Sequence, residues 1–207
     1  LIFKRQNSGK TQKTKIVKAS SKRSNNLQGA VTCPGDKSIS QRSVIIGSLL
    51  DEDIQISGFL FAEDPLSTIS ALRNLGHEIE IDDDIVSVKN SRKNISDQKV
   101  SCNLGNSGTS ARLLTGLLAS QNFDTVLTGD RSLTSRPMKR ITIPLAKMGA
   151  EISTQDGRLP LHIKGTVLKN CKVQINIPSA QIKSGLIHPL VESGLKRKWF
   201  YEFRKYS

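Results

Sequence analysis

Long apolar runs are missing from this sequence. No stretch approaches the roughly 20 apolar residues that a membrane-spanning helix needs. The first long apolar segment begins only after Gln41, which leaves no signal-peptide core near the N-terminus. Cysteine is scarce as well. Cys33, Cys102 and Cys171 are odd in number, widely spaced, and without a Cys-x-x-Cys or a neighbouring histidine pair. That indicates neither a zinc site nor a disulfide framework, and it predicts reduced, half-buried strand cysteines in a cytoplasmic protein. His77, His162 and His188 are too scattered to offer a catalytic pair. No Gly-x-Gly-x-x-Gly opens a helix, so a Rossmann fold is excluded. Gly9-Lys10-Thr11 is not the end of a P-loop either, because Lys4 stands where that motif needs glycine.

Acidic residues are short only locally. The 207-residue chain carries a formal charge of +13, with 31 Lys and Arg against 18 Asp and Glu. Residues 1–26 hold eight of the basic residues and no acid, and residues 196–207 hold five against Glu202. The middle, 27–195, has 18 basic and 17 acidic residues and is almost neutral. The basicity therefore belongs to the ends, and a solvated N-terminal arm is predicted over 1–26 in preference to a transit peptide or a nucleic-acid-binding arm. Five of the nine aromatics (Trp199, Phe200, Tyr201, Phe203, Tyr206) crowd the last nine residues, interleaved with Lys and Arg. A frameshift or a decayed gene accounts for that tail better than a nucleic-acid platform does. Neither nucleic acid nor membrane is expected as a partner.

What the sequence does hold is a repeat. Ser38-Ile-Ser-Gln-Arg42-Ser-Val-Ile-Ile-Gly-Ser-Leu-Leu50 parallels Gly108-Thr-Ser-Ala-Arg112-Leu-Leu-Thr-Gly-Leu-Leu118, with the arginines 70 residues apart. Ile56-Ser-Gly58 matches Leu127-Thr-Gly129 at an offset of 71, Pro65 matches Pro137 at 72, and Leu75-Gly-His-Glu-Ile79 matches Met148-Gly-Ala-Glu-Ile152 at 73. One-residue loop insertions produce such a drift. A third unit opens at Pro178-Ser-Ala-Gln-Ile-Lys-Ser-Gly-Leu186, where Lys183 follows Arg112 by 71 residues. Apolar periodicity and punctuation predict helices over 38–50 and 107–119. Second helices start at Pro65 and just after Pro137, and end at Gly76 and Gly149. Strands are expected over 54–57, 125–128, 77–81, 85–89, 151–154 and 161–164. The result is an α/β fold of repeated βαβαββ modules.

Each unit opens with a polar turn running into a helix N-terminus, where backbone N–H groups and the helix dipole favour anions. The first such turn, Pro34-Gly-Asp-Lys37-Ser38-Ile-Ser-Gln-Arg42, offers two cations and several hydroxyls. The second, Leu104-Gly-Asn106-Ser-Gly108-Thr109-Ser-Ala-Arg112, offers an amide, two glycines and a guanidinium. A further basic cluster, Ser132-Leu-Thr-Ser-Arg136-Pro-Met-Lys139-Arg140, precedes the second helix of its unit. Singly, each reads as helix caps and solvated arginines. Their recurrence at matching positions points to a shared anionic ligand.

In this order, these motifs and Ser179-Ala-Gln181-Ile-Lys-Ser184 resemble the successive signatures of the shikimate-pathway enolpyruvyl transferases, the 5-enolpyruvylshikimate-3-phosphate synthase family. The resemblance covers residues 28–186. It implies the family's inside-out α/β barrel fold and transfer of the enolpyruvyl group of phosphoenolpyruvate to the 5-hydroxyl of shikimate 3-phosphate. Neither cofactor nor metal is implied. Matching position by position, it implies Lys37 as the catalytic residue touching both substrates. Ser38, Arg42, Ser179 and Gln181 are implied as shikimate 3-phosphate ligands, with Asn106, Gly108 and Arg136 for phosphoenolpyruvate. The role of Arg112 stays open between structure and binding. The sister transferase acting on UDP-N-acetylglucosamine shares the fold, but Lys37-Ser38 and the Ser-Ala-Gln motif argue against it.

The family's enzyme is roughly double this length, with an acidic pair and further cations to which no residue here corresponds. The expectation is one incomplete domain over 27–187, with two full repeats and the start of a third, followed by an aberrant tail over 188–207. Two functional readings follow. The chain is the substrate-binding half of a synthase that needs a separate chain, or it is a non-catalytic remnant.

Overall fold

A computed structural model describes residues 28–90, 99–169, 173, 175 and 179–192. The chain divides into two compact units, Leu1–Cys33 and Pro34–Ser207. In the first, only 28–33 are described, as exposed chain without regular structure. Cys33 is exposed and lies outside any strand, which corrects the expectation of a half-buried strand cysteine. The arm predicted over 1–26 and residues 193–207 of the tail lie outside the described residues, as does Cys171.

The second unit holds all the regular structure. Its elements are α1 (Lys37–Gly47), β1 (Ile54–Ile56), α2 (Glu63–Asn74), β2 (Ile79–Asp82), β3 (Ile85–Val88) and β4 (Val100–Asn103). They continue through α3 (Gly108–Ala119), β5 (Thr125–Thr128), the short α4 (Arg131–Thr134), α5 (Lys139–Lys147), β6 (Glu151–Gln155), β7 (Arg158–Lys164) and α6 (Ala180–Glu192). No described helix is long and apolar enough to cross a membrane.

The repeat is visible as geometry. One sheet runs β1-β3-β2 and the other β4-β5-β7-β6. Antiparallel pairings β1/β3 and β2/β3 correspond to β5/β7 and β6/β7. The second sheet adds β4, parallel to β5 and joined to it through α3. Among the described residues only the second repeat is thus a full βαβαββ module, and the first begins directly with α1, after the Pro34-Gly35 turn. The predicted glycine caps close α2 and α5, with Gly76 and Gly149 at φ 96° and 94°, a conformation that side chains with a Cβ rarely adopt.

The core is aliphatic, as the shortage of aromatics requires, and it centres on α3. Every residue of α3 except Arg112 is buried, because its apolar run faces neighbours on all sides. α6 lies across it so tightly that a Cβ on Gly116 would fall inside the Gly185 carbonyl. A Cβ on Gly185 would in turn sit 2.6 Å from the Arg112 carbonyl oxygen. This helix runs through His188 and Pro189, both buried, to Glu192, so the division placed after Ile187 falls inside it. Cys102, on β4, is fully buried, its thiol donating to the Ala71 carbonyl at 3.6 Å and pushed up to about 11 by burial.

A buried polar cluster joins the two repeats beneath the helix starts. Gln41 of α1 is fully buried. Its Nε2 donates to Ser107 Oγ and Ser110 Oγ at 2.7 Å each, and lies 3.3 Å from Thr68 Oγ1 of α2. Ser107 is also the N-cap of α3, accepting from the Ser110 N–H. One amide therefore sets the start of α3 against α1 and α2.

Candidate anion-binding site

The opening turns of the repeats fold as helix caps first. The Asp36 carboxylate accepts the Ile39 N–H at 2.8 Å at the start of α1, and Ser107 does the same for α3. At the start of α6 the Ser179 hydroxyl accepts the Ile182 N–H at 3.4 Å. Such caps satisfy part of each first turn and leave the remaining N–H groups at the helix mouth.

Residues far apart in the chain meet at one of these mouths. An open cleft of about 690 Å³ is lined by Ser38, Ile39 and Arg42 of α1 and by Ser179, Gln181, Lys183 and Ser184 at the start of α6. Four of the five residues assigned by resemblance to shikimate 3-phosphate are therefore side by side. Arg42 is held half-buried, its Nε donating to Ser184 Oγ at 3.2 Å and its Nη1 to the Ser38 carbonyl at 3.0 Å. Among the described residues no carboxylate lines the cleft. Two cations and three hydroxyls suit a phosphate or a carboxylate.

Lys37 does not line this cleft. Its ammonium pairs with the Asp64 carboxylate at 2.9 Å, across from the start of α2. The Lys37 side chain is 51% exposed and that of Asp64 22%, so the pair is accessible and orients the lysine more than it stabilises the fold. The two cations of the first turn therefore diverge, the lysine toward α2 and the arginine toward α6. Asp64 escaped the sequence reading because acids in the first turn of a helix are ordinary dipole partners.

The second group meets at Gly108, the first residue of α3. Arg136 donates to the Asn106 side-chain oxygen and reaches Ser132 Oγ at 3.3 Å. A Cβ on Gly108 would lie 2.8 Å from Arg112 Nη1 and 2.9 Å from Arg136 Nη1, so the ends of both guanidinium side chains stand against this glycine. Asn106, Gly108 and Arg136 are thus brought together, as the resemblance implied, and Arg112 joins them. Burial, with Arg136 and then Arg140 nearby, pulls the Arg112 pKa below its ordinary value, although such a group stays charged at neutral pH. The corner is electropositive, with two guanidinium groups at its glycine.

Ser184, Thr109, Gln41 and Asp64 contribute to these sites without being read from the sequence. Ser184, Thr109 and Gln41 each stand inside one of the motifs, and Asp64 alone carried no signal.

Residues 21–194 match the family model described as EPSP synthase (3-phosphoshikimate 1-carboxyvinyltransferase). Among curated proteins, the chain is 47% identical over 165 residues to a 3-phosphoshikimate 1-carboxyvinyltransferase of Ruthia magnifica subsp. Calyptogena magnifica, covering 79% of this chain and 38% of that protein. It is 48% identical over 164 residues to the protein of the same name from Caldicellulosiruptor saccharolyticus, covering 78% and 38%. A solved structure of EPSP synthase from Acinetobacter baumannii superposes with a TM-score of 0.70 at 40% identity, covering 78% of this chain and 37% of that one. The chain spans less than two-fifths of the length of these relatives.

Proposed function

The chain belongs to the EPSP synthase (3-phosphoshikimate 1-carboxyvinyltransferase) family, and from that premise we propose that its folded unit binds the two phosphorylated substrates of that reaction. Ser38, Arg42, Ser179 and Gln181 hold shikimate 3-phosphate in the cleft between α1 and α6. Asn106, Gly108 and Arg136 hold phosphoenolpyruvate at the start of α3. In the reaction, the 5-hydroxyl of shikimate 3-phosphate adds to the carbon bearing the phosphate in phosphoenolpyruvate while the methylene carbon takes up a proton, and the tetrahedral intermediate then loses phosphate and a proton from that methyl group. Fixed cations and helix-start N–H groups suit that chemistry because negative charge is carried and redistributed throughout. Lys37 takes the proton-transfer role, with Asp64 holding its ammonium until substrate competes for it.

One observation carries this reading. Two segments more than 130 residues apart in sequence line a single cleft that offers cations and hydroxyls and, among the described residues, no carboxylate. The family's acidic pair has no counterpart assigned among these residues, so the 207 residues by themselves are proposed to bind without turnover, the rest of the machinery coming from the remainder of such an enzyme. The cytoplasm, where phosphorylated intermediates are kept, is the proposed compartment. The test is isothermal titration with shikimate 3-phosphate, repeated with shikimate. Saturable heat is expected for the phosphorylated compound, lost by at least about tenfold in Arg42→Ala, as removal of a charge-assisted bond implies. Equal binding by wild type and Arg42→Ala, or none to a folded wild type, overturns the assignment. Non-catalytic remnant is the second reading, and the absence of binding would favour it.

A further inference from the structure

The repeat gives Arg112 the same register as Arg42, which invites a ligand role, yet its donors are engaged otherwise. Nη1 donates to the Gly108 carbonyl at 2.9 Å and to Gln181 Oε1 at 3.2 Å, and Nη2 donates to the Pro137 carbonyl at 3.3 Å. Three segments therefore converge on one guanidinium: the start of α3, the chain leading into α5, and the first turn of α6. Gln181 closes the loop, since its Nε2 donates to Thr109 Oγ1 at 2.8 Å. Gln181 lines the cleft with Arg42, and Gly108 is the corner beside Arg136. A planar fork with several fixed donors suits such a junction, which a point-like ammonium does not.

We infer that Arg112 is a positioning residue that ties the cleft at the start of α6 to the Gly108 corner, so that occupation of the first orders the second. The inference rests on the proposed function for the identity of the ligand, but the bridge itself exists without ligand. Its acceptors are neutral carbonyls and an amide, so the guanidinium keeps its full charge at the corner. Contact of a ligand with Gln181 alters one end of a two-bond path, Gln181 to Arg112 to Gly108, with the Thr109 bond running beside it.

Amide hydrogen exchange tests this in wild type, Arg112→Ala and Arg112→Lys, with and without shikimate 3-phosphate, after circular dichroism has shown that each variant is folded. Without ligand, both variants are expected to exchange about tenfold faster over 104–114 and 179–187 together, as loss of shared hydrogen bonds implies. With ligand, wild type is expected to gain protection in both segments and the variants over 179–187 alone. A merely structural arginine would not separate the two segments in this way. Should Arg112→Ala not fold, Gln181→Ala cuts the same bridge from the other side and is expected to speed exchange over 104–114. Unchanged ligand-free exchange over 104–114, or ligand-induced protection there without Arg112, overturns the inference. Absence of protection over 179–187 in wild type would instead sink the proposed ligand, with the ligand-free comparison still deciding the bridge.

Discussion

The helices α1 and α3 occupy the same place in successive repeats and have become different objects. α3 is buried on all sides, with its single arginine spent on carbonyls and an amide. α1 buries one face and leaves Ile39 and Ile46 68% and 47% exposed, with its arginine opening on a cleft. Where α3 carries Ala111, α1 carries Gln41, whose amide reaches across to the cap of its own counterpart. Duplication thus supplied two similar helix starts, and the surroundings set them apart. The arginine of α1 faces a cleft, and the matching arginine of α3 is bonded to carbonyls and an amide.

The sharpest break of that comparison is at one shared register. Gly116→Val in α3 is expected to unfold the domain or to cost more than about 4 kcal/mol, because backbone of α6 stands where the side chain must go. Ile46→Ser at the same register of α1 is expected to change stability by less than about 0.5 kcal/mol, since that side chain faces solvent. Urea denaturation of both decides it, and comparable losses would mean that α1 is covered in solution.

Next in size is a pH effect from α6. Burial, reinforced by Arg42, holds His188 down to about 4 against an ordinary 6.5, while a hydrogen bond with the Leu113 backbone pulls the other way. The unfolded chain therefore takes up a proton that the folded one refuses between those values. Stability should be full above pH 6.5 and fall by about 3 kcal/mol as pH drops to 4, where the loss levels off. His188→Leu should flatten that slope in denaturation curves across the window. A slope that persists unchanged would assign it to carboxylates instead.

The smallest effect separates the two caps. Asp36→Ala is expected to cost about 1 kcal/mol, as loss of an ordinary exposed N-cap does. Ser107→Ala should cost about 2 kcal/mol, because it also removes a buried hydroxyl that bonds the Gln41 amide and the Ser110 hydroxyl. Equal losses in thermal melts would show that the Gln41 cluster contributes little.

Much of this was readable beforehand because proline, glycine and apolar spacing act locally. The starts of α1 and α3 fall within one residue of their predicted positions, and β1, β3, β5 and β6 lie where alternation placed them. β4 escaped notice, since Val-Ser-Cys-Asn is too short and too mixed to stand out without the β5 edge beside it. The motifs identified which residues gather around the cleft and the Gly108 corner. They could not give direction. That Lys37 turns toward Asp64, or that Arg112 reaches Gln181, depends on side chains 27 and 69 residues away in sequence, whose approach is set by packing.

The crossing of Gly116 and Gly185 also works as a registration mark. Sliding α6 by one residue along its axis, about 1.5 Å, would bring Ser184 or Leu186 to the point where no Cβ fits against the Arg112 carbonyl. The helix therefore has one seat on α3. Ser179, Gln181 and Ser184, which reach the cleft from that helix, inherit their placement from a contact that itself contains no side chain at all.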